Sequence, residues 1–167
     1  MYIYKQGPVN LASKPFSTDP EDLSDLTIHL THHNINKDNT DFNEKGATFE
    51  YSKCDLDMLR AAYETQGEDY DEMHSKCKDA ILKTLISGEH GISKMVDENP
   101  TLRNNCFCIY GFDFIVDDKL KPWLLKVNLN PTLASFQPTD KRMKTMMVCD
   151  ALTIVGIRPY QKAKVHE

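Results

Sequence analysis

Residues 106–131 read CFCIYGFDFIVDDKLKPWLLKVNLNP, and the fold turns on how this stretch is taken. Cys106 to Val116 is a nearly continuous apolar, aromatic and β-branched run. Asp117-Asp118-Lys119-Leu120-Lys121 interrupts it, and Pro122 to Leu129 resumes it. Two short apolar arms around a polar turn predict a β-hairpin, and the lack of a clean polar alternation in either arm predicts burial on both faces. Three polar side chains stand inside it: Asp113, Lys126 and Asn128. Side chains alternate along a strand, so Lys126 and Asn128 share a face. A turn centred near Lys119–Leu120 sets Asp113 across from Lys126 and diagonal to Asn128. Desolvating an unpaired charge costs several kcal/mol. Either Asp113 and Lys126 therefore satisfy each other as a buried ion pair, or the group lines a polar cleft.

Upstream of the hairpin, Tyr2-Ile3-Tyr4 and Val9-Asn10-Leu11-Ala12 flank Gln6-Gly7-Pro8 and predict a short hairpin of their own. Thr18 to Asp25 is an acidic loop, Leu26 to His33 is strand-like, and Asn34 to Ser52 is a polar loop. Asp55 to Gln66 carries Leu56, Leu59, Ala62 and Tyr63 at helical spacing and ends at Gly67. Tyr70 to Ser87 carries Met73, Cys77, Ala80, Ile81 and Leu85 on one stripe, with Gly88 as its predicted stop. Downstream, Thr139 is the predicted N-cap of a last helix with Met143, Met147, Ala151 and Ile154 on one side, closed by Gly156 and Pro159. The fold class is α+β: an antiparallel β-sheet with a central hairpin, flanked by helices.

Composition narrows the function. With 167 residues and a net charge of −5, the chain suits one soluble globular domain. No apolar run is long enough to span a membrane, and the first residues lack the pattern of a secretory signal. Five irregularly spaced Cys suggest a reducing cytoplasm rather than a disulfide framework. Charge is lopsided: the chain up to Gln137 carries −8, whereas Pro138 onward carries +3. That basic end, through Lys141, Arg142, Lys144, Arg158, Lys162 and Lys164, either meets an acidic partner or is a solvated helix face and tail. Nothing has the basic bias of a nucleic-acid binder. Cys106 and Cys108 share a strand face without a second pair at zinc-site spacing, so they read as core cysteines. His32 and His33 are adjacent and cannot share an ion from one strand face, and Trp123 reads as a core anchor.

The tract YGFDF…DD-LKPWLL-VNL-P, from Tyr110 to Pro131, closely resembles the tubulin–tyrosine ligase-like family. His29-Leu30-Thr31…Ile35-Asn36-Lys37 is similar to a second signature of that family, Ile3-Tyr4…Gly7…Val9…Ala12 to the strand pair before it, and Asp140 with the last helix to its continuation. The resemblance implies the C-terminal portion of an ATP-grasp fold over residues 1–157, followed by a basic tail at 158–167. It also implies ATP and Mg²⁺ as cofactors, and an acyl phosphate that an amino acid attacks to form a peptide or isopeptide bond on tubulin. The glutamate-adding members are the nearest in pattern. The implied partners are tubulin and microtubules, through their acidic C-terminal tails, and neither nucleic acid nor membrane. The implied location is the cytoplasm, at the cytoskeleton or the basal body of a cilium.

By the same resemblance, Asp113 and Asn128 are the expected metal ligands and, with Lys37, the expected cofactor contacts; His29 and Thr31 are the expected substrate contacts. Mg²⁺ takes hard oxygen ligands, and in the family a glutamate supplies one where this chain has Lys126. A protonated amine offers no lone pair and turns a local charge of −2 into 0. Asn10 stands for a family arginine, His32 for an asparagine and Cys108 for an acidic residue. The nucleotide-holding strands and loop of the family precede the segment matched by Met1, so the chain is expected to be a fragment or a truncated paralogue, inactive alone. The alternative expectation is a non-catalytic pseudoenzyme or microtubule-binding remnant; a chain with no stable fold of its own is a third.

Overall fold

The computed structural model describes residues 1–12, 14–31, 54–99, 101, 106–135 and 138–157. The chain divides into two compact units, Met1–Thr65 with Ser135–Cys149, and Gln66–Ala134 with Asp150–Glu167. Helices mix with two separate antiparallel pairs of strands, in keeping with the α+β expectation.

In the first unit, strand β1 (Pro8–Val9) pairs antiparallel with β2 (Cys54–Asp55), Pro8 opposite Asp55 and Val9 opposite Cys54. The expected hairpin between residues 2–4 and 9–12 does not form: β1 takes a partner far along the chain instead. Asp55 then caps helix α2 (Leu56–Gln66), its Oδ1 accepting from Met58 N at 2.9 Å. The Gln6 amide donates to the Asp57 carboxylate in the first turn of that helix. Gly67 ends α2 with φ +74°, the left-handed geometry in which glycine has no Cβ to clash. Cys54, Tyr63 and Ile28 are buried in this unit.

The segment read as a strand from Leu26 to His33 opens instead as a one-turn helix, α1 (Leu26–His29); His32 and His33 lie outside the described residues. The reason is Asp25. Its Oδ1 accepts from Thr27 N at 2.9 Å and from Thr27 Oγ1 at 2.6 Å, while its Oδ2 pairs with Lys14 Nζ at 2.8 Å. A local cap outcompetes weak alternation. The Lys14 ammonium first, then the Thr27 donors, hold the Asp25 carboxyl down to about 2 from an ordinary 3.8. Since the folded chain keeps this group ionised to lower pH than the unfolded chain does, its stabilisation is complete above the ordinary value and fades as pH falls toward 2.

In the second unit, Asp69 caps helix α3 (Tyr70–Glu98) through Glu72 N at 3.0 Å, and Asp71 and Glu72 complement the helix dipole in its first turn. This helix runs through Gly88, the expected stop. An interior glycine costs about 1 kcal/mol relative to alanine, too little to end a helix by itself. Among the described glycines only Gly67 and Gly156 adopt the left-handed geometry that terminates one. The stop is Asn99, whose Nδ2 donates to Met95 O at 2.9 Å and whose next neighbour is Pro100, which disfavours a helical residue before it. Tyr70 and Met73 are buried on α3, and the helix packs against strand β4 (Pro122–Asn128).

Strand β3 (Gly111–Val116) and β4 form the expected hairpin. Asp117 builds its turn: Oδ1 accepts from Lys119 N at 3.0 Å and Lys121 N at 2.9 Å, and its own N donates to Lys121 O at 3.1 Å. Leu120 reaches φ +57° there, the one non-glycine with positive φ among the described residues.

Helix α4 (Pro138–Ile154) starts at its proline, one residue ahead of the expected cap Thr139, because proline presets φ at the first helical position and needs no donor there. Lys144 pairs with Asp140 at 3.0 Å. The helix closes as expected at Gly156 (φ +80°), with Gly156 N donating to Thr153 O at 3.1 Å and Ile157 N to Leu152 O at 3.0 Å. Met143, Met147 and Ala151 are half-buried on it, whereas Met146 and Ile154 are exposed. The basic tail at 158–167 lies outside the described residues.

Candidate functional site

The polar group of the hairpin comes together as its register dictates. Gly111 pairs with Asn128, Phe112 with Val127 and Asp113 with Lys126. The register then slips by one residue: Phe114 meets Leu124, Ile115 meets Trp123 and Val116 meets Pro122, so Leu125 is the extra residue of a β-bulge. The slip reverses the phase of β4. Directly paired residues share a face, so Gly111–Asn128, Asp113–Lys126 and Ile115–Trp123 form successive rungs of one face. The other face carries Phe112–Val127, Phe114–Leu124 and Val116–Pro122.

These two faces are not alike. The second is half-buried throughout, while on the first Asp113, Ile115, Trp123 and Lys126 are exposed. Burial on both faces was the wrong expectation, because the broken alternation in β4 comes from the bulge. Trp123, expected as a core anchor, is 50% exposed, and Ile115 beside it 52%. The Trp123 indole is nonetheless fixed: Nε1 donates to Asp117 Oδ2 at 2.8 Å, and the Lys121 ammonium lies 3.6 Å from its ring centroid. The indole donor first, then the turn amides, lower the Asp117 carboxyl below its ordinary value.

At the open end, Asn128 Nδ2 donates to Asp113 Oδ2 at 3.1 Å. Gly111 makes room for this pair, since a Cβ there would lie 3.2 Å from Pro131 Cβ and 3.5 Å from Asn128 Cβ. Lys126 stands opposite Asp113 but forms no ion pair with it among the described residues. The buried ion pair is therefore replaced by an exposed carboxylate–amide pair beside an exposed ammonium. Chemically the group offers one carboxylate and one amide oxygen facing a positive charge. That donor set does not fit a divalent cation, which needs several anionic or neutral oxygens and gains nothing from an ammonium. Among the described residues no cluster of three or more His, Cys, Asp and Glu suits a metal ion.

His29 and Thr31 belong to the first unit and are described there. His29 ends α1 with Nε2 at 3.1 Å from Asp22 O and its ring edge-on to Phe16 at 5.6 Å; Thr31 is exposed just beyond the helix. Lys37 lies outside the described residues. Cys106 and Cys108, expected in the core, are exposed ahead of β3. Burial first, then the neighbouring Cys108, raises the Tyr110 hydroxyl above its ordinary value. Sequence reasoning missed that Trp123 and Ile115 share the face of Asp113. The one trace of it is the pair Leu124-Leu125, where a period of two fails.

The model of the tubulin-tyrosine ligase family matches residues 1–164. Tubulin polyglutamylase TTLL5 of Mus musculus is 31% identical over 159 residues, covering 93% of this chain and 12% of the relative. Tubulin polyglutamylase TTLL6 of Mus musculus is 33% identical over 171 residues, covering 100% of this chain and 21% of the relative. Tubulin monoglutamylase TTLL4 of Mus musculus is 32% identical over 158 residues, with 93% and 13% covered. The chain thus spans between about an eighth and a fifth of the length of these relatives. With a family match over nearly every residue and the signature hairpin folded in register, this chain belongs to the tubulin-tyrosine ligase family.

Proposed function

We propose that this chain supplies the metal-side hairpin of an ATP-grasp ligase domain that adds glutamate to the acidic C-terminal tails of tubulin, and that Lys126 holds its turnover far below that of a member with glutamate there. Family membership and the glutamylase names of the relatives support the substrate and the amino acid. The observation that carries the impairment is the rung Asp113–Lys126, where a cation faces the one carboxylate of the group. ATP and a cytoplasmic place at microtubules or ciliary basal bodies belong to the same proposal, with the Mg²⁺ of the family held poorly here because Lys126 replaces one of its ligands. Asp113 and Asn128 are its nucleotide-side contacts, with Lys37, and His29 and Thr31 its substrate-side contacts.

The test uses the longest polypeptide that carries this chain, incubated with tubulin, ATP, Mg²⁺ and labelled glutamate. Lys126→Glu is expected to raise incorporation roughly 100-fold, the scale on which single groups around a metal act. Equal incorporation by the parent and the variant overturns the impairment, and transfer of a different amino acid by the variant overturns glutamate.

The same rung also favours a second reading, a non-catalytic microtubule-binding module. Exposed Lys141 and Arg142 on α4 supply its contact for an acidic tail. Salt-sensitive co-sedimentation with microtubules that is lost when the tails are removed supports it; sedimentation indifferent to the tails sinks it.

A further inference from the structure

The exposed face of the hairpin has a composition that its divalent-cation misfit alone does not explain. An ammonium at Lys126, with no ion-pair partner among the described residues, sits one rung from an aromatic and a branched apolar side chain, Trp123 and Ile115. The bulge at Leu125 is what puts them together, since unbroken pairing would turn Trp123 to the opposite face. Asp113 is the one carboxylate in the rung with Lys126, and Asn128 already donates to its Oδ2. Three N–H donors of Lys126 are thus left to an anion. The Lys121 ammonium lies 3.6 Å from the Trp123 ring centroid. Together with Lys126 it makes a cationic and aromatic face, which fits a ligand anionic at one end and carrying a ring at the other.

We infer that this face takes the phosphates of a nucleoside polyphosphate on the Lys126 ammonium without a divalent cation, with the Ile115–Trp123 rung against the remainder of the molecule. The inference rests on the reading of the hairpin as the nucleotide-facing part of a ligase domain, and it names what that side would bind. A tethered +1 charge in place of a mobile +2 gives weaker but metal-independent attraction. A chelator then has nothing essential to remove.

Calorimetric titration of ATP into the same polypeptide tests it, once in EDTA and once in Mg²⁺. The parent chain is expected to bind with affinities within about twofold of each other in the two buffers. Lys126→Met, which keeps the length of the side chain without its charge, is expected to bind at least about tenfold more weakly in EDTA, the worth of one charge-assisted contact. Lys126→Glu is expected to bind only when Mg²⁺ is present. Inorganic tripolyphosphate is expected to bind about tenfold more weakly than ATP, because it lacks the part that meets Trp123 and Ile115. Quenching of tryptophan emission by ATP that disappears in Trp123→Phe reports binding at this face. Loss of parental binding in EDTA, or no loss on Lys126→Met, overturns the inference. So does tripolyphosphate binding as tightly as ATP, or binding without quenching. Metal-dependent ATP binding by the parent would overturn this inference while leaving the ligase reading to the incorporation assay. Since Lys126 is exposed, both variants are expected to melt as the parent does, and circular dichroism checks this.

Discussion

Asp113 and Asp117 lie on the same face of one hairpin, four residues apart, and are used in opposite ways. Asp117, at the closed end, accepts from two turn amides and from the Trp123 indole. Asp113, at the open end, accepts from Asn128 and faces a cation that it does not bind among the described residues. One carboxylate is committed to its own backbone, and the other is left facing outward. A signature that contains both therefore mixes a residue that makes the fold with a residue that the fold presents. Only the second is a candidate for chemistry.

The comparison breaks most visibly at the closed end. Asp117→Ala strands two amides and the indole donor, and is expected to lower the melting temperature on the order of 5 °C. Acid should do the same to the parent chain. The folded state lowers the Asp117 carboxyl, so this contribution is complete above the ordinary carboxylate value and is lost as pH falls below it. Trp123 fluorescence should record the release of the indole in that range, and an emission spectrum unchanged down to complete protonation would show the bond to be dispensable.

Next in size is Leu120→Gly, expected to stabilise the turn by about 1 kcal/mol by relieving a left-handed leucine. A denaturant midpoint that fails to rise would locate the relief elsewhere. Gly111→Ala is expected to destabilise by up to about 1 kcal/mol, because the added methyl crowds Pro131 and Asn128. An NMR shift of the Asn128 side-chain amide would separate displacement of this pair from a general loss of stability. The smallest effect is expected of Asp113→Asn. It should move stability by less than about 0.5 kcal/mol, since an exposed hydrogen bond contributes little. A large loss there would mean that Asp113, like Asp117, is part of the framework.

Some of this was legible in the residues and some was not. The hairpin and the pairing of Asp113 with Lys126 follow from counting out from a five-residue polar interruption. The bulge at Leu125, directly beside that pair, does not, because an extra residue on one strand leaves composition untouched and changes only phase. The α2 stop at Gly67 is readable, whereas Gly88 misleads, since a glycine ends a helix by adopting a left-handed geometry that the sequence does not display. Leu26 to His29 misleads for a different reason: Asp25 and Thr27 form a local cap that outweighs a weak alternation. The true partner of β1 was out of reach, as Cys54–Asp55 is remote in the chain and two residues long. In the candidate site, residue types were readable, but whether Asp113 would turn to Lys126 or to Asn128 depended on side-chain rotamers.

The extra residue in β4 has a consequence for how this hairpin can change over time. On the two sides of Leu125, odd and even positions exchange meaning, so the strand is written in two reading frames. Substitution can vary the lining of each frame independently. Deletion of that single leucine would merge the frames into one continuous alternation and leave Trp123 opposite Ile115, on the face of Asp113. The one residue of this arm that can be lost without turning a neighbour over is the one that pairs with nothing.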